Sequence, residues 1–384
     1  MITNFNQRTR IFRIITQSDV VEWHLNNFLK RGEQEFEIFV LGDNVSKYKN
    51  AYGSIRFIDI NIKRKFSFIS DIKTLFLLIF YMVKHKPRIV HSIMPKAGLL
   101  SSISAFVTFR PLRIHTFTGQ IWSNSIGLKR FFLIKIDQLI CILNTINLTD
   151  SPSQSQFLLD NGITYKSKLI PCLGIGSLSG VDLNKFNFNN LISYRDEVRN
   201  ILKFSKEDFV LIFLGRKSLI KGITHLFEAL NYLSDLKIKL LFIGPDESDG
   251  VLNHLFEKYS FLSDNIIVLD SVSNREKYLI ASDLLCLPSS IEGFGSIVID
   301  SASIGIPTVG YEIVGLIDAV KNNETGFLVE NGNSYKLSIA IRKLVEDHEL
   351  YISFKQNCLS RVRNFFDADI FYNYQRNFYF ENLK

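Results

Sequence analysis

Glu292 stands where a carboxylate and free backbone N–H groups can address one ligand. The run before it, 283–287, is apolar and ends at Pro288, which predicts a buried strand that stops there. Residues 289–295 hold two Ser and two Gly, the composition of a loop. From Ser296 the spacing turns helical, with Gly305 as its stop and Pro307 just beyond. Strand, glycine loop and short helix in that order place N–H groups and a positive helix end beside Glu292, a seat for a diphosphate. A second strand end, after 209–215, carries two cations, Arg216 and Lys221, between Gly215 and Gly222. Lys217 beside them reads as part of a solvated basic loop.

These residues need a frame of alternating strands and helices, and the chain predicts one. Strands are read at 11–16, 36–41, 54–60, 88–92 and 113–118, with helical spacing at 20–30 and 97–107. The second half restarts the alternation with strands at 209–215, 238–244 and 265–269 and a helix at 223–233. Such alternation predicts mostly parallel sheets with helices on both faces, which bind ligands at the C-terminal ends of their strands. No G-x-G-x-x-G follows the first strand, which argues against a dinucleotide dehydrogenase.

The 384 residues suffice for two domains, and 46% hydrophobic content with 22% charged residues is that of a globular chain. Four scattered cysteines, with no paired spacing, indicate neither a disulfide framework nor a metal site and suit a reducing cytoplasm. The net charge of +7 is uneven. Residues 1–170 carry 23 Lys and Arg against 11 Asp and Glu, while 171–384 carry 22 against 27. A basic first half predicts an anionic partner there: nucleic acid, anionic lipid or a lipid-linked diphosphate. The cations are dispersed rather than clustered around an aromatic platform, which disfavours nucleic acid. Arg13 interrupts the first apolar run too early for a secretory signal. The most apolar window, 74–83, is about half the length that spans a bilayer. It predicts a buried helix, although Lys73, Lys84 and Lys86 around it also permit contact with a membrane surface.

Pro288-Ser289, Glu292-Gly-Phe-Gly295, a second acid at Asp300, then Ala302, Gly305 and Pro307 resemble the donor-site signature of retaining family-4 glycosyltransferases of the GT-B fold. The family usually has Glu at the second acid, so Asp300 is one methylene shorter. Gly215, Arg216, Lys221 and Gly222 resemble the family's Gly-Arg…Lys-Gly element, and Gly-Val-Asp at 180–182 with Phe186 resembles its interdomain hinge. Segments 91–98, 113–122 and 150–155 resemble acceptor loops of capsule and O-antigen members, and 270–279 resembles the loop flanking the base. The likeness covers nearly the whole chain and is most specific over 176–310.

The resemblance implies an α/β chain with two doubly wound Rossmann-like domains facing across a cleft. An acceptor-binding domain at 1–184 precedes a nucleotide-sugar-binding domain at 185–365, and a C-terminal helix at 366–384 packs back toward the first. It implies retaining transfer of a hexose or N-acetylhexosamine from a nucleotide-diphosphate sugar, UDP-linked, to a lipid-linked saccharide in O-antigen or capsule synthesis. The enzyme would be cytoplasmic and peripheral on the inner face of the membrane. Glu292 would hold sugar hydroxyls and Asp300 the ribose. Arg216, Lys221 and the N–H groups of Gly295 and Ser296 would hold the diphosphate, with Gly215, Gly244, Gly293 and Phe294 completing the donor side. Two fixed cations can stabilise the charge that grows on a leaving diphosphate, so neither metal nor cofactor is expected, each charge-assisted hydrogen bond contributing about 1.5–3 kcal/mol.

On the acceptor side the resemblance implies His91, Lys96, Thr118, Gly119, Gln120 and Asp182. The family's histidine aligns with Thr118, while His115 lies just upstream, so His115, Thr118 or neither fills that role. Two other readings stay open. One is a sugar-nucleotide epimerase or hydrolase with Glu292 and Asp300 as acid and nucleophile. The other is a catalytically inactive glycan-binding protein. Glycosidase carboxylates lie about 5–10 Å apart across the sugar. Asp300 one turn inside a helix would face a different part of a ligand from Glu292.

Overall fold

Strand segments such as Ile238–Ile243 are nearly continuous apolar runs, buried from Leu240 to Ile243, as strands covered on both faces must be. The computed structural model describes residues 8–63, 67–164 and 170–383, and these runs form two six-stranded sheets. The chain divides into two units, Met1–Gly180 with Ala368–Lys384, and Val181–Asp367. It passes between them at 180/181 and 367/368, where the sequence suggests 184/185 and 365/366. Val181 N–H donates to the Phe366 carbonyl, which ties both crossing segments into the second unit.

The first sheet contains β1 (Thr9–Gln17), β2 (Phe36–Asp43), β3 (Arg56–Asp59), β4 (Ile89–Ile93), β5 (Leu112–Phe117) and β6 (Ile146–Thr149), in the order β3-β2-β1-β4-β5-β6. Its helices are α1 (Asn26–Gly32), α2 (Phe68–His85), α3 (Pro95–Val107), α4 (Gly127–Leu143) and α5 (Pro152–Asp160). The second sheet contains β7 (Phe209–Leu214), β8 (Ile238–Ile243), β9 (Ile266–Leu269), β10 (Leu284–Leu287), β11 (Thr308–Tyr311) and β12 (Gly326–Val329), in the order β12-β11-β10-β7-β8-β9. Its helices are α6 (Phe188–Ile201), α7 (Ile223–Asn231), α8 (Val251–Lys258), α9 (Arg275–Ile280), α10 (Ser296–Ala302), α11 (Leu316–Ala319), α12 (Ser334–Glu346) and α13 (His348–Phe365). All pairings in both sheets are parallel, and both have the doubly wound order, so the direction in which strands are added reverses between β1 and β4 and between β7 and β10.

The last helix, α14 (Ala368–Asn382), belongs to the first unit. Tyr379 on it is fully buried, its ring set edge-on against Phe28 and Phe36. Its oxygen accepts from Arg13 Nη1 at 2.7 Å and from Gln375 Nε2 at 3.0 Å. Its one proton therefore goes to His91 Nδ1, 2.6 Å away, leaving His91 Nε2–H to donate to Thr116 Oγ1 at 2.7 Å. Arg376 and Tyr372 add an ion pair and a hydrogen bond to Glu35.

The helix over 74–83 is not the buried one expected from its composition. Thr74, Leu78 and Met82 of α2 are buried, but Phe68, Ile69, Phe76, Phe80 and Val83 are exposed. Its acid, Asp71, is buried and paired with Lys96 at 2.7 Å, so Lys73 and Lys84 are the charges left on the outer face. In α4, Leu128, Phe131, Phe132 and Ile142 are exposed among Lys129 and Lys135, while Asp137 is buried and accepts from the Trp122 indole at 2.7 Å. Among the described residues no helix is long and apolar enough to cross a membrane.

Tyr379→Phe keeps the ring but leaves Arg13, Gln375 and His91 without their shared oxygen. It should lower stability by about 1–3 kcal/mol, and Tyr379→Ala by about 3–5 kcal/mol. Urea unfolding followed by near-ultraviolet circular dichroism measures both; a Tyr379→Phe midpoint equal to wild type would show that this oxygen does not hold α14.

Candidate functional site

The direction reversal in the second sheet brings together the loops that leave β7 and β10, and the residues singled out for chemistry lie on them. Gly215 follows β7, and its N–H donates to the Ile243 carbonyl at 3.0 Å, beside Gly244 at the end of β8. The loop returns through Gly222, at φ 75°, into α7. A Cβ on Gly222 would lie 1.9 Å from the Pro288 carbonyl oxygen, so only glycine lets the β7 loop close on the exit of β10. Ser290 N–H and Oγ both donate to the Ile220 carbonyl, at 2.9 and 3.1 Å, joining the loops beside that contact.

This closure sets Lys221 Nζ 2.6 Å from Glu292 Oε1, with both side chains mostly buried. Gly293 and Gly295 follow, and Ser296 opens α10. The Phe294 side chain is a correction to its expected donor-side role: it is buried 5.5 Å from the Phe366 ring and anchors the loop from beneath. Arg216 pairs with Glu247, on the loop after β8, at 2.6 Å, and its side chain is one-third exposed.

Two other cations here differ from expectation. Lys217 is buried rather than solvated, and its Nζ donates to the Leu269 carbonyl at 2.9 Å, stapling the β7 loop to the end of β9. Burial draws its pKa down, opposed by Asp270 and Asp246. Arg275 was not singled out, yet it holds Asp300, with Nε and Nη2 at 3.0 and 2.8 Å from Oδ2. Burial pushes the Asp300 carboxyl up and Arg275 pulls it back. The available signal was a cation opening a short helix in 270–279, the segment read as flanking the base.

The acceptor-side histidines are core residues. His91 lies mid-strand in β4 and His115 mid-strand in β5, each about 1% exposed, not at strand ends. They point to opposite faces of the sheet: His91 meets Tyr379, while His115 Nδ1 lies 2.9 Å from Ser92 Oγ. A Cβ on Gly98 of α3 would sit 2.4 Å from the His115 ring, so this glycine lets the helix cover it. Burial pushes His115 down to about 3, and burial followed by Arg13 holds His91 well below the ordinary range. A histidine enclosed in this way does not reach an acceptor hydroxyl, which corrects both assignments.

Lys96 is likewise committed to Asp71 between α3 and α2. The Thr118 carbonyl accepts from Gln120 Nε2 at 2.7 Å and Gln154 Nε2 at 3.3 Å, fixing the loop around half-buried Gly119 and leaving Gln120 buried. Asp182 Oδ1 accepts from the N–H groups of Asn184 and Lys185, closing a turn.

Residues 194–360 match the sequence profile of the glycosyl transferases group 1 family, and this span contains both loops of the site. The group 1 profile thus falls on the second unit, and the chain shares its fold with glycosyltransferases of the GT-B class. Over 383 residues it is 29% identical to the capsular polysaccharide biosynthesis glycosyltransferase CapM of Staphylococcus aureus, covering 98% of both chains. It is 26% identical over 309 residues to the UDP-Gal:alpha-D-GlcNAc-diphosphoundecaprenol alpha-1,3-galactosyltransferase of Escherichia coli, covering 79% of this chain and 78% of that one. Its fold matches the sucrose-phosphate synthase of Thermosynechococcus elongatus with a TM-score of 0.83 at 18% identity, over 97% of this chain and 99% of that one.

The enclosed histidine has a measurable consequence. Its folded pKa lies below its unfolded value of about 6.5, so below that pH the unfolded chain takes up a proton that the folded chain does not. The His115 contribution is flat above pH ~6.5 and falls as pH drops toward 3. Between pH 7.5 and pH 5 wild type should lose about 2 kcal/mol more than His115→Gln, read from urea midpoints. Equal slopes would place His115 in contact with water.

Proposed function

We propose that the chain is a retaining glycosyltransferase that moves a hexose or N-acetylhexosamine from a UDP-sugar to a lipid-linked saccharide in surface polysaccharide synthesis. The observation that carries this reading is the Lys221–Glu292 pair, fixed between the two loops at the direction reversal of a group 1 domain. Glu292 holds donor-sugar hydroxyls. Lys221 and Arg216 take the diphosphate as charge grows on it, with N–H groups of Gly295 and Ser296 alongside. Those cations, rather than a metal, balance the leaving group in this reading. No side chain is assigned as a covalent nucleophile; retention comes from departure and attack on one face of the sugar, assisted by the diphosphate.

The rival use of Glu292 and Asp300 as a hydrolytic pair is disfavoured, because each carboxylate is neutralised by its own cation on a different element. The named activities of the S. aureus and E. coli relatives favour a polysaccharide pathway and a diphospholipid acceptor. The exposed aromatic faces of α2 and α4, whose acids are buried and whose outer charges are lysines, suit peripheral contact with an anionic cytoplasmic membrane surface.

Thermal shift against UDP-, GDP- and ADP-sugars tests the donor site. One donor at 100 times its Kd should stabilise by about 2.7 kcal/mol, and Lys221→Ala should lose that shift. Glu292→Ala should keep nucleotide binding, since Lys221 loses a competing carboxylate, yet transfer no sugar. No shift with any nucleotide would bring the glycan-binding reading forward. Flotation with phosphatidylglycerol and phosphatidylcholine vesicles tests the membrane contact: binding should require the anionic lipid. Phe76→Ser with Phe80→Ser and Phe131→Ser with Phe132→Ser should weaken it at least about tenfold without changing the nucleotide shift. Absence of wild-type binding to anionic vesicles would remove membrane contact from the reading.

A further inference from the structure

A second concavity lies where the end of α7 meets the start of α12. It encloses about 330 Å³ and is bordered by Tyr232, Glu330, Asn331, Asn333, Ser334 and Tyr335. The strand before it, β12, stands two places from β10, the strand before Glu292. Its walls are already fixed. Ser334 Oγ donates to Glu228 Oε2 at 2.5 Å, pinning the start of α12 to α7. Arg342 Nη2 donates to the Tyr232 carbonyl at 3.2 Å and to Asp235 Oδ1 at 2.7 Å, which holds the end of α7 in place.

Two rings border the concavity. Tyr232 and Tyr335 meet edge to face, centroids 5.3 Å apart, and remain 49% and 57% exposed. Such a pair offers water an apolar ring surface with polar hydroxyls at its rim. Glu330 Oε2 accepts from Lys336 Nζ at 2.7 Å and from Asn333 Nδ2 at 3.2 Å. Lys336, then Asn333, draw the Glu330 pKa down, so the carboxylate is ionised and its charge is balanced by the lysine. Glu330 Oε1 and the Asn331 amide make no hydrogen bond among the described residues. The start of α12 does not call for an anion, because Asn333 Oδ1 already accepts from the Lys336 N–H at 3.0 Å. A phosphate would meet Glu330, and a metal ion would find that single carboxylate in the lining. Balanced charge, ring surface, a spare carboxylate oxygen and a spare amide are the complement of a neutral pyranose. Its C–H face covers a ring, and its hydroxyls donate to Glu330 and exchange hydrogen bonds with Asn331.

We propose that this concavity is a saccharide-binding site that takes a neutral sugar unit of the polymer on which the enzyme acts and holds it away from the place of transfer. Holding a distal unit raises the concentration of chain ends near the donor. The identity of the polymer rests on the transferase reading above; the affinity for a neutral saccharide does not.

Saturation-transfer NMR titration of the intact protein with maltotriose, triacetylchitotriose and lactose tests the assignment. At least one should bind, and Y232A and Y335A should each weaken it at least about tenfold. Y232F and Y335F, which keep the rings, should stay within about threefold of wild type, and N331A should lose about threefold to tenfold. Saturating UDP should leave the saccharide affinity unchanged, and Y335A should keep the nucleotide shift of wild type. Near-ultraviolet circular dichroism checks the fold of each variant. Binding of none of the three saccharides, binding indifferent to both tyrosine→alanine changes, or binding abolished by UDP would overturn this site and leave the donor-site reading standing. Tyrosine-dependent saccharide binding by a protein that binds no nucleotide would keep this site and overturn the donor-site reading.

Discussion

The loop geometry at this edge of the second sheet depends on one ion pair, Lys221 with Glu292, and on the backbone contact that allows it. Neither residue is close to the other in sequence; they meet because β7 and β10 are neighbours in the sheet and their loops leave at the same edge. The loops approach to backbone distance only because position 222 has no side chain. Charges that are mostly withdrawn from water are costly singly and tolerable together, so the pair locks the loops in one relation. Strand order thus determines loop contact, and loop contact determines which cation faces which carboxylate.

Among the described residues, four cations at this edge are engaged with partners: Lys221 with Glu292, Arg216 with Glu247, Arg275 with Asp300, and Lys217 with the Leu269 carbonyl. In the proposed reading, an incoming diphosphate would compete with carboxylates rather than meet free charge. The competition is easiest at Arg216, whose partner is 40% exposed and regains water when released. Lys221 is different, since Glu292 is only 11% exposed and leaving it alone is expensive. A donor whose sugar hydroxyls hydrogen-bond Glu292 while its phosphate takes Lys221 satisfies both groups at once. In the proposed reading, the pair would thereby couple recognition of the sugar to recognition of the phosphate, and a bare anion would gain less from it.

How much of this was legible in the sequence follows from what each residue depends on. Gly215, Gly222, Pro288 and the Glu292-Gly-Phe-Gly295 run could be placed because turns and strand ends are decided locally, by residues that permit or forbid a backbone path. The alternation of elements was legible for the same reason. Lys217 misled because a lysine in a polar loop ordinarily faces water, and only the end of β9, far along the chain, supplies the carbonyl that draws it inside. His91 and His115 misled because a strand's ends, and the helix lying over it, are tertiary facts. Arg275 was passed over because its partner lies on a different helix.

The two units share a strand order but use it differently. In the second, the strands flanking the reversal end in glycine loops that carry charge outward. In the first, the equivalent strands β1 and β4 bring Arg13 and His91 into register as neighbours, and both side chains are spent inside on Tyr379. A buried guanidinium with no carboxylate among its described contacts is tolerable only while Tyr379 and the Phe28 ring cover it. Residues of α14 are therefore part of the first unit's interior, and its sheet keeps Arg13 and His91 satisfied only with that helix in place. The second unit, whose boundaries are 181 and 367, holds its own sheet and core without α14.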